Sequence, residues 1–139
     1  MPRLTRWFLR AALIHLILAL LLGWLLGLGR IVELPPVLAA ASPVYFHLFM
    51  LGGVAQFIIG VAWWMFPPLS KERPRGNEAL AWAVFFLLNG GLILRAICEP
   101  WVAVDPQPVA RWGLLLSALT LVAAGWIFVG LLWPRVKGK

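Results

Sequence analysis

Residues 47–67 read HLFMLGGVAQFIIGVAWWMFP, a stretch with no Asp, Glu, Lys or Arg that closes on a proline. Its length matches the ~20 residues a helix needs to cross the hydrocarbon core of a bilayer. No water is available there to bond the backbone, so the segment must satisfy its own N–H and C=O groups, and a helix does this. Working outward, the chain holds four such runs, at 7–29, 44–66, 79–98 and 112–133. Of its 139 residues 63% are hydrophobic and only 12% charged, with a mean hydropathy of +0.92. That composition excludes a soluble globular domain. The expected fold is all-α: a four-helix transmembrane bundle forming one integral membrane domain over residues 1–139.

The net charge of +7 is set by topology and not by a nucleic-acid partner. Arg3, Arg6 and Arg10 precede the first span, Lys71, Arg73 and Arg75 lie between the second and third, and Arg135, Lys137 and Lys139 follow the fourth. Basic residues collect on the cytoplasmic side of membrane proteins. Both termini and the middle loop are therefore expected in the cytoplasm of a bacterial cell, with the chain in the inner membrane. Arg30, Glu33, Glu99, Asp105 and Arg111 form a nearly neutral opposite face. Ala39–Ala41 has the small residues of a signal-peptide cleavage site, but Arg30 and Glu33 separate it from an apolar run longer than a signal core. The first span is expected to be retained.

Prolines punctuate the chain. Pro35, Pro36 and Pro43 occupy the first loop, Pro67–Pro68 ends the second span, and Pro100 is expected to end the third. Asn77 ahead of Glu78 is placed to cap the third helix. Trp7, Trp63, Trp64, Trp82 and Trp133 on one side, with Trp101 and Trp112 on the other, read as interfacial anchors. The lone Cys98 supports neither a disulfide framework nor a thiolate cluster. The sequence contains no nucleotide-binding glycine loop, nucleophile elbow or paired carboxylates, so the chain is not expected to be an enzyme on its own.

The informative residues are polar groups inside the spans. A histidine at membrane depth is costly unless a metal, a haem iron or a hydrogen bond engages it. His47, four residues past Pro43, lies about 6 Å below the outer end of its helix. Arg95, five residues before Pro100, lies at about the same depth. His15 lies roughly 20 Å down, too far to grip the same iron as His47.

A haem standing in a bundle needs an axial imidazole, clearance for its face and a cation for its propionates. His47 supplies the first, and Gly52, Gly53, Gly90 and Gly91 are candidates for the second. Arg95 and Arg111 are candidates for the third, since guanidinium binds carboxylate bidentately. Alternatives stand beside each assignment. His47 can bond Gln56, Asn89 or a backbone carbonyl, and Arg95 can pair with Glu99 at i+4. The glycines can simply permit close helix crossings, with Ser117 and Thr120 bonding between helices. Met50, one turn from His47, makes a copper site conceivable.

The pattern His47, Gly52, Gly60, Trp63-Trp64, Pro67 resembles the second helix of haem–copper oxidase and nitric oxide reductase catalytic subunits. In those proteins that helix carries an axial histidine of the low-spin haem. A closer likeness is to short four-helix membrane proteins described as oxidase subunit I-like. They combine segments similar to RWFLRAAL (6–13), the second span, LLNGGLILRAICEP (87–100) and the terminal WPR (133–135). The resemblance implies His47 as a haem ligand and no more. The adjacent histidine pair and the further histidines that bind oxidase copper and active-site haem have no counterpart here.

The expectation is a b-type haem-binding membrane protein, ligated by His47, acting in electron transfer or in binding a diatomic gas such as NO or O2. One ligand per chain favours a homo-oligomer, with a respiratory-chain protein as a further partner. The rival readings are a non-catalytic structural or assembly subunit of a respiratory complex and a small copper-handling protein.

Overall fold

The computed structural model describes residues 1–136; Lys137 and Lys139, counted above among the basic residues after the fourth span, lie outside them. Four helices are long and apolar enough to cross a membrane: Arg3–Leu28, Ser42–Met65, Glu78–Val104 and Pro108–Val136. A short helical turn, Pro36–Ala39, lies in the first loop. The chain is a multi-pass membrane protein with an all-helical fold.

The spans run up and down as two packed hairpins, the first helix against the second and the third against the fourth. The second and third helices join them, so the fourth is the most peripheral. At the end holding the termini, Leu4, Phe8, Trp63, Ala81, Val84, Leu88, Leu92 and Ala124 form one buried cluster. A smaller one, Ala19, Ala41, Val44 and Leu48, closes the far end. Phe8 meets Phe85 edge-on at 5.2 Å between ring centroids, tying the first helix to the third.

Local chemistry sets the helix ends. Pro43 and Pro108 stand in first turns, where a missing N–H costs nothing. Asn77 caps the third span, its side-chain oxygen accepting from the N–H of Leu80 at 3.2 Å. The middle loop turns at Gly76, whose φ of 81° falls in the left-handed region that glycine tolerates.

Three expectations change. The third span does not end at Pro100 but runs on to Val104. Proline's fixed φ is itself helical, so the helix passes through Pro100 at the loss of the bond to the Ala96 carbonyl and with crowding against that carbonyl. Pro134 is likewise inside the fourth span. Trp63 is no interfacial anchor: it is 2% exposed and belongs to the core, whereas Trp64 beside it is 47% exposed.

The second span is not a uniform α-helix. Leu48–Ala55 is a π-helix between α-helical segments Ser42–His47 and Gln56–Met65. In an unbroken α-helix His47 and Gln56, nine residues apart, are separated by about two and a half turns and face opposite ways. The π coil bonds i to i+5 and winds more slowly. Both side chains consequently meet the third span, His47 at Glu99 and Gln56 at Asn89.

Candidate functional site

Two polar levels result. The deeper one joins three spans. Gln56, fully buried, donates from Nε2 to Asn89 Oδ1 at 3.2 Å, and Asn89 Nδ2 donates to the carbonyl of Phe85 at 2.7 Å. His15, 8% exposed, packs on Gly52, and its Nδ1 and Gln56 Oε1 are buried without hydrogen-bond partners. Ser117 Oγ donates to the carbonyl of Gly91 at 2.8 Å, holding the fourth span to the third. Thr120, by contrast, bonds within its own helix, to the Ser117 carbonyl.

The upper level is at the far end of the bundle. His47 Nδ1 lies 2.7 Å from the carbonyl of Pro43 and 3.6 Å from Glu99 Oε2. A carbonyl only accepts, so Nδ1 carries the proton and Nε2 of the neutral ring carries the lone pair. Metal-bound histidines are oriented in this way, by a second-shell acceptor on the other ring nitrogen. The His47 side chain is 25% exposed, and its ring lies edge-on to Phe46, itself an exposed aromatic. Met50 is also exposed on this part of the helix.

Arg95 does not stand free for a propionate. Its Nη2 donates to Glu99 Oε1 at 3.0 Å, the i+4 pairing weighed above. Glu99 therefore links Arg95 to His47, and its Oε2 and the Nε of Arg95 are buried without hydrogen-bond partners. Arg111 stands apart in the first turn of the fourth span, on a hollow bordered by Pro108, Trp112 and Leu115.

The glycines are occupied by protein. A Cβ at Gly52 would lie 2.8 Å from the Cβ and Cγ of His15, and one at Gly53 would lie 3.3 Å from Leu16. At Gly91 it would lie 2.6 Å from the Thr120 hydroxyl. These three are crossing points of helices, and no porphyrin face fits against them inside one chain. Gly90 has open space. Of the groups expected at a haem, His47, Met50 and Arg111 are open to the outside, and His47 is at the surface of the bundle and not in a slot between the spans.

Sequence reasoning passed over two residues. The sequence places Glu99 on the outer face and at i+4 from Arg95 but gives no sign of its contact with His47: Glu99 directly precedes Pro100, His47 lies four residues past Pro43, and the antiparallel spans bring the two to one level. Arg135 was counted only as a topology charge. It is 3% exposed and donates to the carbonyls of Trp63 (3.2 Å), Phe66 (2.7 Å) and Pro67 (3.0 Å), with its guanidinium 5.4 Å from the Trp63 ring. It caps the end of the second span from the fourth.

Among the described residues, no group of three or more His, Cys, Asp or Glu side chains is arranged to hold a bare metal ion. Comparison with known protein families, curated proteins and solved structures finds no match to this chain.

Proposed function

We propose that this is a b-type haem-binding protein of a bacterial inner membrane, with His47 Nε2 as the axial ligand near the periplasmic leaflet. The carrying observation is the Nδ1–H contact to the Pro43 carbonyl, which fixes the ring, while Nε2 makes no hydrogen bond among the described residues. The exposed Phe46 and Met50 give the ring an apolar surround at the bundle surface. Bound haem supplies one-electron chemistry or a site for a diatomic gas. The chain's own part is narrower. The Pro43 carbonyl orients the imidazole, and Arg95 holds the Glu99 carboxylate 3.6 Å from Nδ1.

Because the site is at the surface and offers one ligand, enclosing the porphyrin calls for a second chain, either another copy or a respiratory subunit. The same polar pairing favours one alternative: His47, Glu99 and Arg95 engaging each other as in a structural subunit of a respiratory complex. Haem content separates the two. Protein purified in mild detergent is expected to carry haem b by pyridine haemochrome assay, His47→Ala to lose it, and Met50→Ala to retain it. Colourless wild-type protein co-purifying with a large complex would favour the structural reading.

A further inference from the structure

An open hollow of about 690 Å³ lies at the far end of the first two spans and is not lined by His47 or Glu99. A pocket of several hundred Å³ is of the size that encloses small molecules. Its polar wall is formed by Arg30, Ser42 and Tyr45, and its apolar wall includes Leu20, Trp24 and Leu26. Arg30 is in neither of the ion pairs seen among the described residues. Ser117 and Thr120 direct their hydroxyls to backbone carbonyls, whereas those of Ser42 and Tyr45 make no hydrogen bond among the described residues. Arg30, Ser42 and Tyr45 thus line one space, and their guanidinium and hydroxyls are a donor set matched to an anion with several acceptor oxygens.

The apolar wall and the level decide which anion. Arg30 follows the last turn of the first span, beyond its apolar run, while Trp24 and Leu20 lie about two and three turns below it, with Trp24 64% exposed. Gly23 shapes the space between them: a Cβ there would lie 2.8 Å from the Tyr45 ring, so the ring lies flat on the first span. A small inorganic anion leaves most of this volume empty.

We infer that the hollow is a specific site for an anionic phospholipid, its phosphate bound by Arg30, Ser42 and Tyr45 and one acyl chain lying along Leu20 and Trp24. This inference is independent of the haem assignment.

The test is native mass spectrometry of the full chain released from nanodiscs containing equal phosphatidylglycerol and phosphatidylcholine. The wild type is expected to retain a phosphatidylglycerol adduct. Arg30→Gln is expected to lower its occupancy about tenfold, a change worth about 1.4 kcal/mol. Tyr45→Phe, which keeps the ring on Gly23, is expected to lower it less, and Arg111→Gln to leave it unchanged. Equal retention of both lipids, or an undiminished adduct in Arg30→Gln, would overturn the assignment. Displacement of the adduct by excess inorganic phosphate would also overturn it, because the phosphate group alone would then be the ligand.

Discussion

At the scale of single residues, buried charge is the decisive quantity. Arg135 survives in the interior because three carbonyls at the end of the second span accept its N–H groups. Arg135→Ala leaves those carbonyls without donors and is expected to destabilise the fold by roughly 2–4 kcal/mol, read as a lowered Tm in detergent. Arg135→Lys, which lacks the fork, should recover only part of this. Under the proposed function Glu99 is a positioning residue for His47, 3.6 Å from its Nδ1. Replacing it with Gln removes the negative charge beside Nδ1, and haem affinity is expected to fall by about 10–100-fold in a titration followed by absorbance. Unchanged affinity would mean that the carboxylate serves Arg95 alone. His47 could be singled out from the sequence because an imidazole among apolar residues is conspicuous. Glu99 and Arg135 could not, because each sits near a span end, where a charge needs no explanation until its partners on another helix are known.

At the scale of elements, glycine spacing and the π segment set the crossings. A Cβ at Gly60 would lie 2.8 Å from the Cβ of Phe8, an atom close to the backbone that cannot swing aside, whereas one at Gly90 meets nothing within 4 Å. Gly60→Ala is therefore expected to cost about 1–3 kcal/mol. Gly90→Ala is expected to be neutral or to gain up to about 1 kcal/mol from helix propensity, and thermal unfolding of the pair compares them directly. Deleting Val54 shortens the π segment and turns His47 relative to Gln56, by less than the ~100° an α-helical residue contributes. The protein then keeps the Gln56–Asn89 bond or the His47–Glu99 contact but not both, with an expected loss of about 1–3 kcal/mol. The spans themselves are legible in the sequence, since twenty apolar residues have few other fates. The π segment is not, because hydropathy reports where a helix lies in the membrane and not how tightly it winds. The extension of the third span past Pro100 was hidden for a related reason: a proline in the sequence does not show whether the helix stops there or passes through.

At the scale of the whole molecule, the four spans bring Leu4 and Arg135 to the same end of the bundle, beside Trp63. The basic residues Arg3, Arg6, Arg73 and Arg75 share that end, so a reporter fused after either terminus is expected to read as cytoplasmic. The bundle offers His47 at its surface and closes Gly52 and Gly91 against neighbouring side chains; the haem proposal therefore calls for a second chain to enclose the porphyrin. The most direct measurement is a reduced-minus-oxidised absorption spectrum of the purified protein beside that of His47→Ala, both at matched thermal stability. A Soret and α-band pair in the wild type that vanishes in the variant is the expected result. A haem spectrum undiminished by loss of the imidazole, or no haem spectrum in protein purified with its native partners, would contradict the account.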